Sequence, residues 1–213
     1  MLELCDEATG RSIRGHGVPR SFFLQPPEIV ARALLGKILV RRWRGQWLAG
    51  RLVEAEAYRG LEDPAAHAFA GKTARNAVLF GPPGYAYVYS IYGMHFCLNV
   101  SCQPEQTAGC VLLRGLEPLQ GVAAMRRNRG LAKDAAIRML ASGPGKLCAA
   151  MAITRAGENG AELTATTGKL FFLDDGCTPE NISITPRVGI RKATDWPLRF
   201  FVTGNTCVSR NGR

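Results

Sequence analysis

Residues 53–68, VEAEAYRGLEDPAAHA, contain side chains that could hydrolyse a bond next to a flat ligand. Glu56, Tyr58 and His67 lie on one predicted strand and the loop that follows it. A carboxylate buried beside aromatic rings has a raised pKa, and it can act as a general base when it holds a water molecule. The same residues are also compatible with a solvated or arginine-paired Glu56 and with packing roles for Tyr58 and His67.

A second chemical signal is the tyrosine-rich stretch at residues 85–101, YAYVYSIYGMHFCLNVS. Tyr85, Tyr87 and Tyr89 alternate with other residues, so their rings are predicted to share one face of a strand, and Tyr92 follows shortly after. This pattern is common in half-buried strands, where tyrosine packs well. It also fits an aromatic surface on which unpaired bases stack.

The charge of the chain favours a polyanionic partner. Lys and Arg total 27 against 17 Asp and Glu, which gives a formal charge of +10, and such a surplus attracts nucleic acid or an anionic membrane. No apolar run is long enough to span a bilayer, and the first residues lack a signal-peptide core. We therefore expect a cytoplasmic protein, associated with the nucleoid if the organism is bacterial, with no membrane partner.

Several basic residues are candidates for contacts with a DNA backbone, although each one alone could equally belong to a solvated face. The predicted phosphate contacts are Arg75, Lys72, Arg126, Arg127 and Lys146, with Arg129 beside them.

The sequence indicates no metal or other cofactor. Its seven cysteines are scattered without a CxxC pair, and none of the three histidines belongs to a zinc-ligand motif. Free thiols in apolar surroundings are typical of a reducing compartment.

The order of predicted elements favours an α+β fold. We expect one compact domain over residues 22–213, with a mixed, largely antiparallel curved sheet flanked by helices, preceded by a loose N-terminal arm at 1–21. A helix is predicted to begin at Pro27 and to be followed by Gly36 in a left-handed conformation. Further predictions are strands over 38–43 and 47–58, a short helix over 63–68 with Asp63 as its cap, and a helix over 118–131.

Five segments occur in a fixed order along the chain: VEAEAYRGLEDPAAHA, TARNAVLFGPPGYAYVYSIYGMHFCLNVS, VLLRGLEP, SGPGKLC and NTCVSR. Together they resemble the alkyladenine DNA glycosylase family, the 3-methyladenine DNA glycosylases unrelated to the helix-hairpin-helix type. The resemblance covers residues 22–210. It implies a monomeric, monofunctional glycosylase without AP lyase activity, acting on double-stranded DNA that contains damaged purines. Alkylated purines are the expected substrates, with deaminated purines as a further candidate.

The resemblance also implies roles for individual residues in the reaction. Glu56 matches the general base that activates the water attacking C1′ of the deoxyribose, and Arg114 matches the arginine that helps to hold this water. Tyr92 matches the tyrosine wedged into the minor groove, where it fills the gap left by the extruded nucleotide.

Four further residues match the family's base pocket. Tyr58, His67 and Tyr89 match the walls that sandwich the flipped base. Asn99 matches the asparagine whose amide disfavours the exocyclic amine of guanine.

Two other functions are compatible with parts of the sequence. A non-catalytic module that binds damaged DNA would keep the basic and aromatic surface, but it would need neither Glu56 nor Arg114. A carbohydrate hydrolase could use Glu54 and Glu56 as a carboxylate pair, but the positive charge argues against it.

Overall fold

The computed structural model describes residues 1–209. Residues 210–213, which include Arg210 of the NTCVSR segment and the end of the predicted domain, lie outside the described residues. The predicted α+β class is confirmed, because one sheet of ten strands packs with five α-helices in the described part of the chain. The strands are β1 Leu2–Asp6, β2 Arg11–Gly17, β3 Ile38–Trp43, β4 Gln46–Tyr58, β5 Ala86–Ile91, β6 His95–Cys102, β7 Gly109–Gln120, β8 Leu170–Asp174, β9 Ile182–Thr185 and β10 Arg199–Val202. The helices are α1 Pro27–Leu34, α2 Val122–Asn128, α3 Arg138–Ala141, α4 Pro144–Ala150 and α5 Arg155–Glu158.

The long strand β4 organises the sheet around the candidate site. The strand order is β1-β2-β8-β3-β4-β7-β6-β5, and each of these pairings is antiparallel. One edge of β4 pairs with β3 along its first half and with β10 along residues 54–56, while the other edge pairs with β7. Register shifts in the β4–β7 pairing around Glu54 mark a bulge, which re-aims neighbouring side chains.

The β3–β4 hairpin and the first helix follow the sequence prediction. Arg44 and Gly45 both adopt positive φ (48° and 76°) between the strands, as a tight hairpin turn requires. Helix α1 begins at Pro27, whose missing N–H costs nothing in the first turn, and Gly36 follows it at φ 90°.

Residues 2–17 form a hairpin where the sequence indicated a loose arm. Strand β2 pairs with β8 through His16 and Gly17, and Leu4 packs in a small core with Val40 and Phe171. The apolar residues of this segment are few, and the residues that bury them lie far away in sequence. The hairpin is therefore held by tertiary contacts that local periodicity does not reveal.

Two predicted helices differ in the structure. The segment expected to be helical over 118–131 begins as the end of β7, because Pro118 and Gln120 pair with β4, and α2 starts only after Gly121 at φ 77°. Residues 64–70 form turns in place of the predicted helix over 63–68. Asp63 accepts a hydrogen bond from the Ala65 N–H at 3.0 Å, which stabilises a local turn and not a helix cap.

Candidate active site

A cavity of about 370 Å³ opens where β4, β5, β6 and β7 meet the loop before β10. This volume is in the range of small-molecule sites. Its walls are mainly aromatic and apolar with a few polar groups, and they include Tyr58, His67, Tyr87, Tyr89, Tyr92, Asn99, Arg114 and Val188.

Three aromatic side chains form one wall of this cavity. The ring centroids of His67 and Tyr89 are 4.4 Å apart in an edge-to-face arrangement, and those of Tyr87 and Tyr89 are 5.5 Å apart. Burial raises the pKa of Tyr89 well above its ordinary value, so its hydroxyl stays neutral. Tyr58, half-buried on β4, also lines the cavity. The strand alternation therefore brings Tyr87 and Tyr89 to one face, as the sequence predicted.

His67 is a neutral hydrogen-bonding group in this arrangement. The residue is exposed, but its Nδ1 lies 2.9 Å from the Tyr87 hydroxyl. Partial burial of the ring and the nearby Arg75 charge lower the pKa of His67. Burial raises the pKa of Tyr87 to about 12. At neutral pH one imidazole nitrogen of His67 thus donates and the other accepts.

Glu56 is fully buried behind the cavity and does not line it. Its Oε1 accepts the Val188 N–H at 2.7 Å, and its Oε2 accepts the Tyr58 hydroxyl at 3.0 Å. Arg114 Nη1 lies 3.2 Å from Oε1. Burial raises the pKa of Glu56 above its ordinary value, although the Arg114 charge and the two hydrogen bonds oppose this rise. The three groups that contact Glu56 all belong to residues that line the cavity.

Glu54, two residues earlier on β4, has a different environment. Its Oε1 accepts bonds from Arg114 Nε and Arg199 Nε, both at 2.8 Å, and from the Ser209 hydroxyl at 2.7 Å. Its Oε2 accepts the Ser209 N–H at 2.6 Å. Burial alone would raise the pKa of Glu54, but the Arg114 charge and these hydrogen bonds lower it below its ordinary value. Glu54 is therefore bound within the protein, which argues against a carboxylate pair that would flank a sugar bond.

Tyr92 lies at the tip of the β5–β6 hairpin, at the mouth of the cavity. Its side chain is 89% exposed and its φ is 52°, a left-handed value that is uncommon for a bulky residue. Met94 in the same turn is also exposed. An exposed aromatic tip beside a pocket is available for insertion into a ligand.

Asn99 is buried on β6 and is one of the residues that line the cavity. Its Nδ2 donates to the Tyr87 carbonyl at 3.1 Å, and its Oδ1 lies 4.0 Å from the Cys110 thiol. These two contacts hold the orientation of the amide plane.

The basic residues predicted to bind phosphates are spread over different parts of the surface. Lys72 and Arg75 are exposed, and the Arg75 guanidinium is 5.8 Å from the centroid of the Tyr89 ring, which lines the cavity. Lys146 is exposed on α4, two residues after Pro144, which lines the cavity. Arg127 on α2 is exposed, whereas Arg126 donates twice to the Ala135 carbonyl. None of these five residues lines the cavity.

Sequence reasoning missed the groups that complete the site from distant segments. They are the Val188 N–H on Glu56, the buried Arg187–Asp63 pair behind Tyr58, and Arg199 and Ser209 on Glu54. No periodic pattern marks these contacts, because each joins residues more than 100 positions apart.

A model of the methylpurine-DNA glycosylase family matches residues 21–206. The chain belongs to this family. A protein of Koribacter versatilis is 55% identical over 192 residues, which cover 90% of this chain and 92% of that protein. A protein of Burkholderia lata is 46% identical over 92% of each chain. A protein of Carboxydothermus hydrogenoformans is 44% identical over 91% of this chain and 98% of its own length. All three are provisionally named 3-methyladenine DNA glycosylases.

Membership of the methylpurine-DNA glycosylases confirms the resemblance that the five segments indicated. These proteins are DNA repair enzymes that hydrolyse N-glycosyl bonds, and this is the class of the present chain. Its substrate polymer is therefore DNA. The family match spans Glu56, Arg114 and the residues that line the cavity. Within residues 1–209, no helix has the length and apolar character needed to cross a membrane.

Proposed function

We propose that this methylpurine-DNA glycosylase extrudes alkylated purines from duplex DNA and hydrolyses their N-glycosidic bond with a water activated by Glu56. The observation that carries the proposal is a buried carboxylate of raised pKa directly behind an aromatic cavity. Arg114 connects the carboxylate with the cavity, because Arg114 lines the cavity and its Nη1 lies 3.2 Å from Glu56 Oε1. A base inside a duplex is out of reach of this carboxylate, so the nucleotide must leave the stack.

The cavity walls fit an extruded purine. Tyr58, His67 and Tyr89 supply faces and edges for stacking, and Asn99 supplies a fixed amide that opposes the exocyclic amine of guanine. Tyr92 at the hairpin tip fills the gap in the duplex. Insertion of such a side chain offsets part of the unstacking cost of about a few kcal/mol.

The hydrogen bonds of Glu56 leave it able to accept one more donor, such as a catalytic water. Within residues 1–209, Oε1 accepts the Val188 N–H and lies near Arg114, whereas Oε2 accepts only the Tyr58 hydroxyl. A carboxylate oxygen can accept a second donor, so a water can bind at Oε2. Glu56 takes a proton from this water as it attacks C1′, the bond between C1′ and the purine nitrogen breaks, and the base leaves with the bonding electrons.

Alkylated purines fit this site better than neutral lesions. A base such as 3-methyladenine carries positive charge and departs without a general acid. A neutral lesion such as hypoxanthine needs protonation, and the lowered pKa of His67 makes it a poor proton store at neutral pH. Release of deaminated purines is therefore expected to be slower.

A monofunctional reaction is proposed because the nucleophile is water. No lysine is among the cavity-lining residues of the described chain, so an amine is not in place to form a Schiff base with the sugar. The strand is expected to remain uncut. The enzyme is proposed to act as a monomer, with the exposed residues Lys72, Arg75 and Lys146 contacting phosphates.

The test is base release from a duplex oligonucleotide that carries one 3-methyladenine, followed by alkali to reveal abasic sites. Wild type is compared with Glu56→Gln, and Glu62→Gln is the control because Glu62 is an exposed carboxylate six residues away. Wild type and Glu62→Gln should release base with strand breaks only after alkali. Glu56→Gln should be slower by about 10²–10⁴-fold, the usual contribution of a general base.

Two results would overturn the proposal. Tight binding to the lesion duplex without base release by wild type would favour a non-catalytic binding module. Strand cleavage without alkali would contradict the monofunctional mechanism.

A further inference from the structure

Behind Tyr58 lies a buried ion pair that the proposed reaction does not use directly. Arg187 contacts Asp63 through Nη1, and its Nη2 donates to Asp63 Oδ1 at 2.9 Å. Both side chains have no exposed surface. Arg187 Nη1 also donates to the Ala57 carbonyl at 3.0 Å, which fixes the guanidinium to β4 between Glu56 and Tyr58.

The guanidinium supports one wall of the cavity. Arg187 Cζ is 4.5 Å from the centroid of the Tyr58 ring, a cation–π contact. It is also 6.0 Å from the Trp196 ring centroid. The Tyr58 hydroxyl in turn donates to Glu56 Oε2 at 3.0 Å, so the position of the Tyr58 ring also sets a contact of the carboxylate.

The backbone next to Arg187 reaches the other oxygen of the same carboxylate. Val188, the following residue, donates its N–H to Glu56 Oε1 at 2.7 Å. Val188, Gly189 and Ile190 line the cavity. The loop after β9 is thus anchored on one side by Asp63 and on the other by Glu56.

We infer that Arg187 and Asp63 are positioning residues for catalysis: the pair holds the Tyr58 ring and the Val188 N–H against Glu56. This inference rests on the proposed function, because it assigns the pair a role in orienting the proposed base. Arg187 acts through Tyr58 and Val188 and touches neither the water nor the purine.

Stability alone does not explain the pair. Burying two charges carries a desolvation penalty, and well-packed apolar residues of similar volume are often at least as stabilising. Arg187 Nε is buried without a hydrogen-bond partner in residues 1–209, so the guanidinium is not fully compensated. What the planar guanidinium provides is directional contact with a carboxylate, a carbonyl and an aromatic face at once.

The test measures single-turnover base release across pH for wild type and Arg187→Lys. Lysine keeps the positive charge but cannot contact Asp63, the Ala57 carbonyl and the Tyr58 ring together. We expect the rate at neutral pH to fall at least tenfold. The hydrogen bonds from Val188 and Tyr58 lower the pKa of Glu56, and both are weakened in Arg187→Lys. The acid limb of the pH–rate profile, where the rate falls as Glu56 gains a proton, should therefore move to higher pH.

The chain offers a matched control in a second buried ion pair. Arg41 Nη2 lies 2.7 Å from Glu158 Oε1, both side chains are almost fully buried, and neither residue lines the cavity. Arg41→Lys should lower thermal stability. Under conditions in which Arg41→Lys and Arg187→Lys are both folded, Arg41→Lys should keep the base-release rate and the acid limb of the pH–rate profile of wild type. Asp63→Asn removes the other half of the positioning pair and decides the question by the same two readouts if Arg187→Lys fails to fold.

The outcomes separate this inference from the proposed function. Folded Arg187→Lys with the rate and acid limb of wild type would overturn the positioning role, and so would an equal shift in Arg41→Lys. If wild type releases the base and Glu56→Gln is slower by about 10²–10⁴-fold, the proposed function stands in either case. No release by wild type removes the proposed function itself.

Discussion

Glu54 and Glu56 lie two residues apart on β4, are both fully buried, and share Arg114, yet their surroundings differ in kind. Within residues 1–209, Glu54 accepts four hydrogen bonds, two of them from arginines, and its pKa is lowered. In the same part of the chain Glu56 accepts two hydrogen bonds, both from residues that line the cavity, and its pKa is raised. One carboxylate is therefore stabilised as a charge, and the other is held ready to gain a proton.

This difference shows how a fold can give two glutamates different roles, one in stabilising the structure and one suited to acting as a base. A carboxylate that accepts many hydrogen bonds from charged groups has a low pKa and is a weak base at neutral pH. A carboxylate with fewer such contacts in a buried site has a higher pKa and can act as a general base. The environment that makes Glu56 useful also makes its charged form costly.

The largest expected effect comes from removing each charge in turn. Glu54→Gln should lower the free energy of unfolding by about 3–5 kcal/mol, because it leaves two buried arginines without their shared carboxylate. Glu56→Gln should be at least as stable as wild type at neutral pH, because it removes a charge that burial disfavours. Urea denaturation checks both, and equal losses in the two variants would abolish the distinction.

Arg114 and Arg199 sharpen the comparison, because Arg114 contacts both carboxylates and Arg199 contacts only Glu54. Arg114→Lys should slow base release by about tenfold to a hundredfold, since it removes the hydrogen bond to Glu54 that holds the guanidinium against Glu56, and a hydrogen bond to a charged group contributes about 1.5–3 kcal/mol. Arg199→Lys should lower stability and leave the release rate of the folded enzyme close to wild type. A slow but stable Arg199→Lys enzyme would contradict this division.

Protonation of the two carboxylates should affect activity and stability at different pH values. Base release needs ionised Glu56, so its rate should fall as the pH drops through the raised pKa of that residue. Glu54 stabilises the fold above its unfolded pKa, and this contribution is lost only as the pH falls through its lowered folded pKa. Activity should therefore be lost at a higher pH than the stability due to Glu54. Rate profiles and urea denaturation across pH measure the two transitions, and their coincidence would argue against separate roles.

Linkage predicts the reverse sign for Glu56. Its raised folded pKa means that the charged form costs stability, fully so above that pKa. The stability advantage of Glu56→Gln should therefore be present at neutral pH and vanish below the unfolded pKa. An advantage that grew on acidification would contradict the raised pKa.

The smallest expected effect is that of one hydroxyl group. Tyr58→Phe keeps the ring but removes the hydrogen bond to Glu56 Oε2, while the Val188 N–H and Arg114 still contact the carboxylate. The release rate should change by only a few-fold, with the acid limb moved towards higher pH. Tyr85→Phe is the control, because Tyr85 contacts Arg20 and does not line the cavity. Identical pH profiles for wild type and Tyr58→Phe would show that this hydrogen bond does not influence Glu56.

Much of the fold was predictable where the signal is local. The alternation and turn residues of β3 and β4 predicted a hairpin, and proline at the start of α1 predicted its first turn. The N-terminal hairpin was missed, because Leu4 finds its neighbours at Val40 and Phe171. The end of β7 was read as helix for the same reason, since Pro118 and Gln120 are held by pairing with β4.

The candidate site divides in the same way. The roles of Glu56, Arg114 and the pocket residues remain predictions that follow from the family resemblance. The structure brings five of the predicted residues to one cavity beside Glu56: Tyr58, His67, Tyr89, Asn99 and Arg114. Spacing alone does not distinguish Glu54 from Glu56, because residues two apart on a strand share a face, and it was the family resemblance that assigned the base role to Glu56. The sequence analysis also predicted that Arg126 contacts a DNA phosphate. In the structure its guanidinium donates to the Ala135 carbonyl.

The sequence by itself determined the fold class, the family, the aromatic strand and the spacing of the two carboxylates, because these depend on local pattern and ordered motifs. Only the tertiary structure decided which carboxylate is stabilised as a charge. Arg199 and Ser209 reach Glu54, and Val188 reaches Glu56, from more than 130 residues away. The pKa of a buried group depends on every charge and donor that folding brings near it, and sequence spacing does not encode those neighbours.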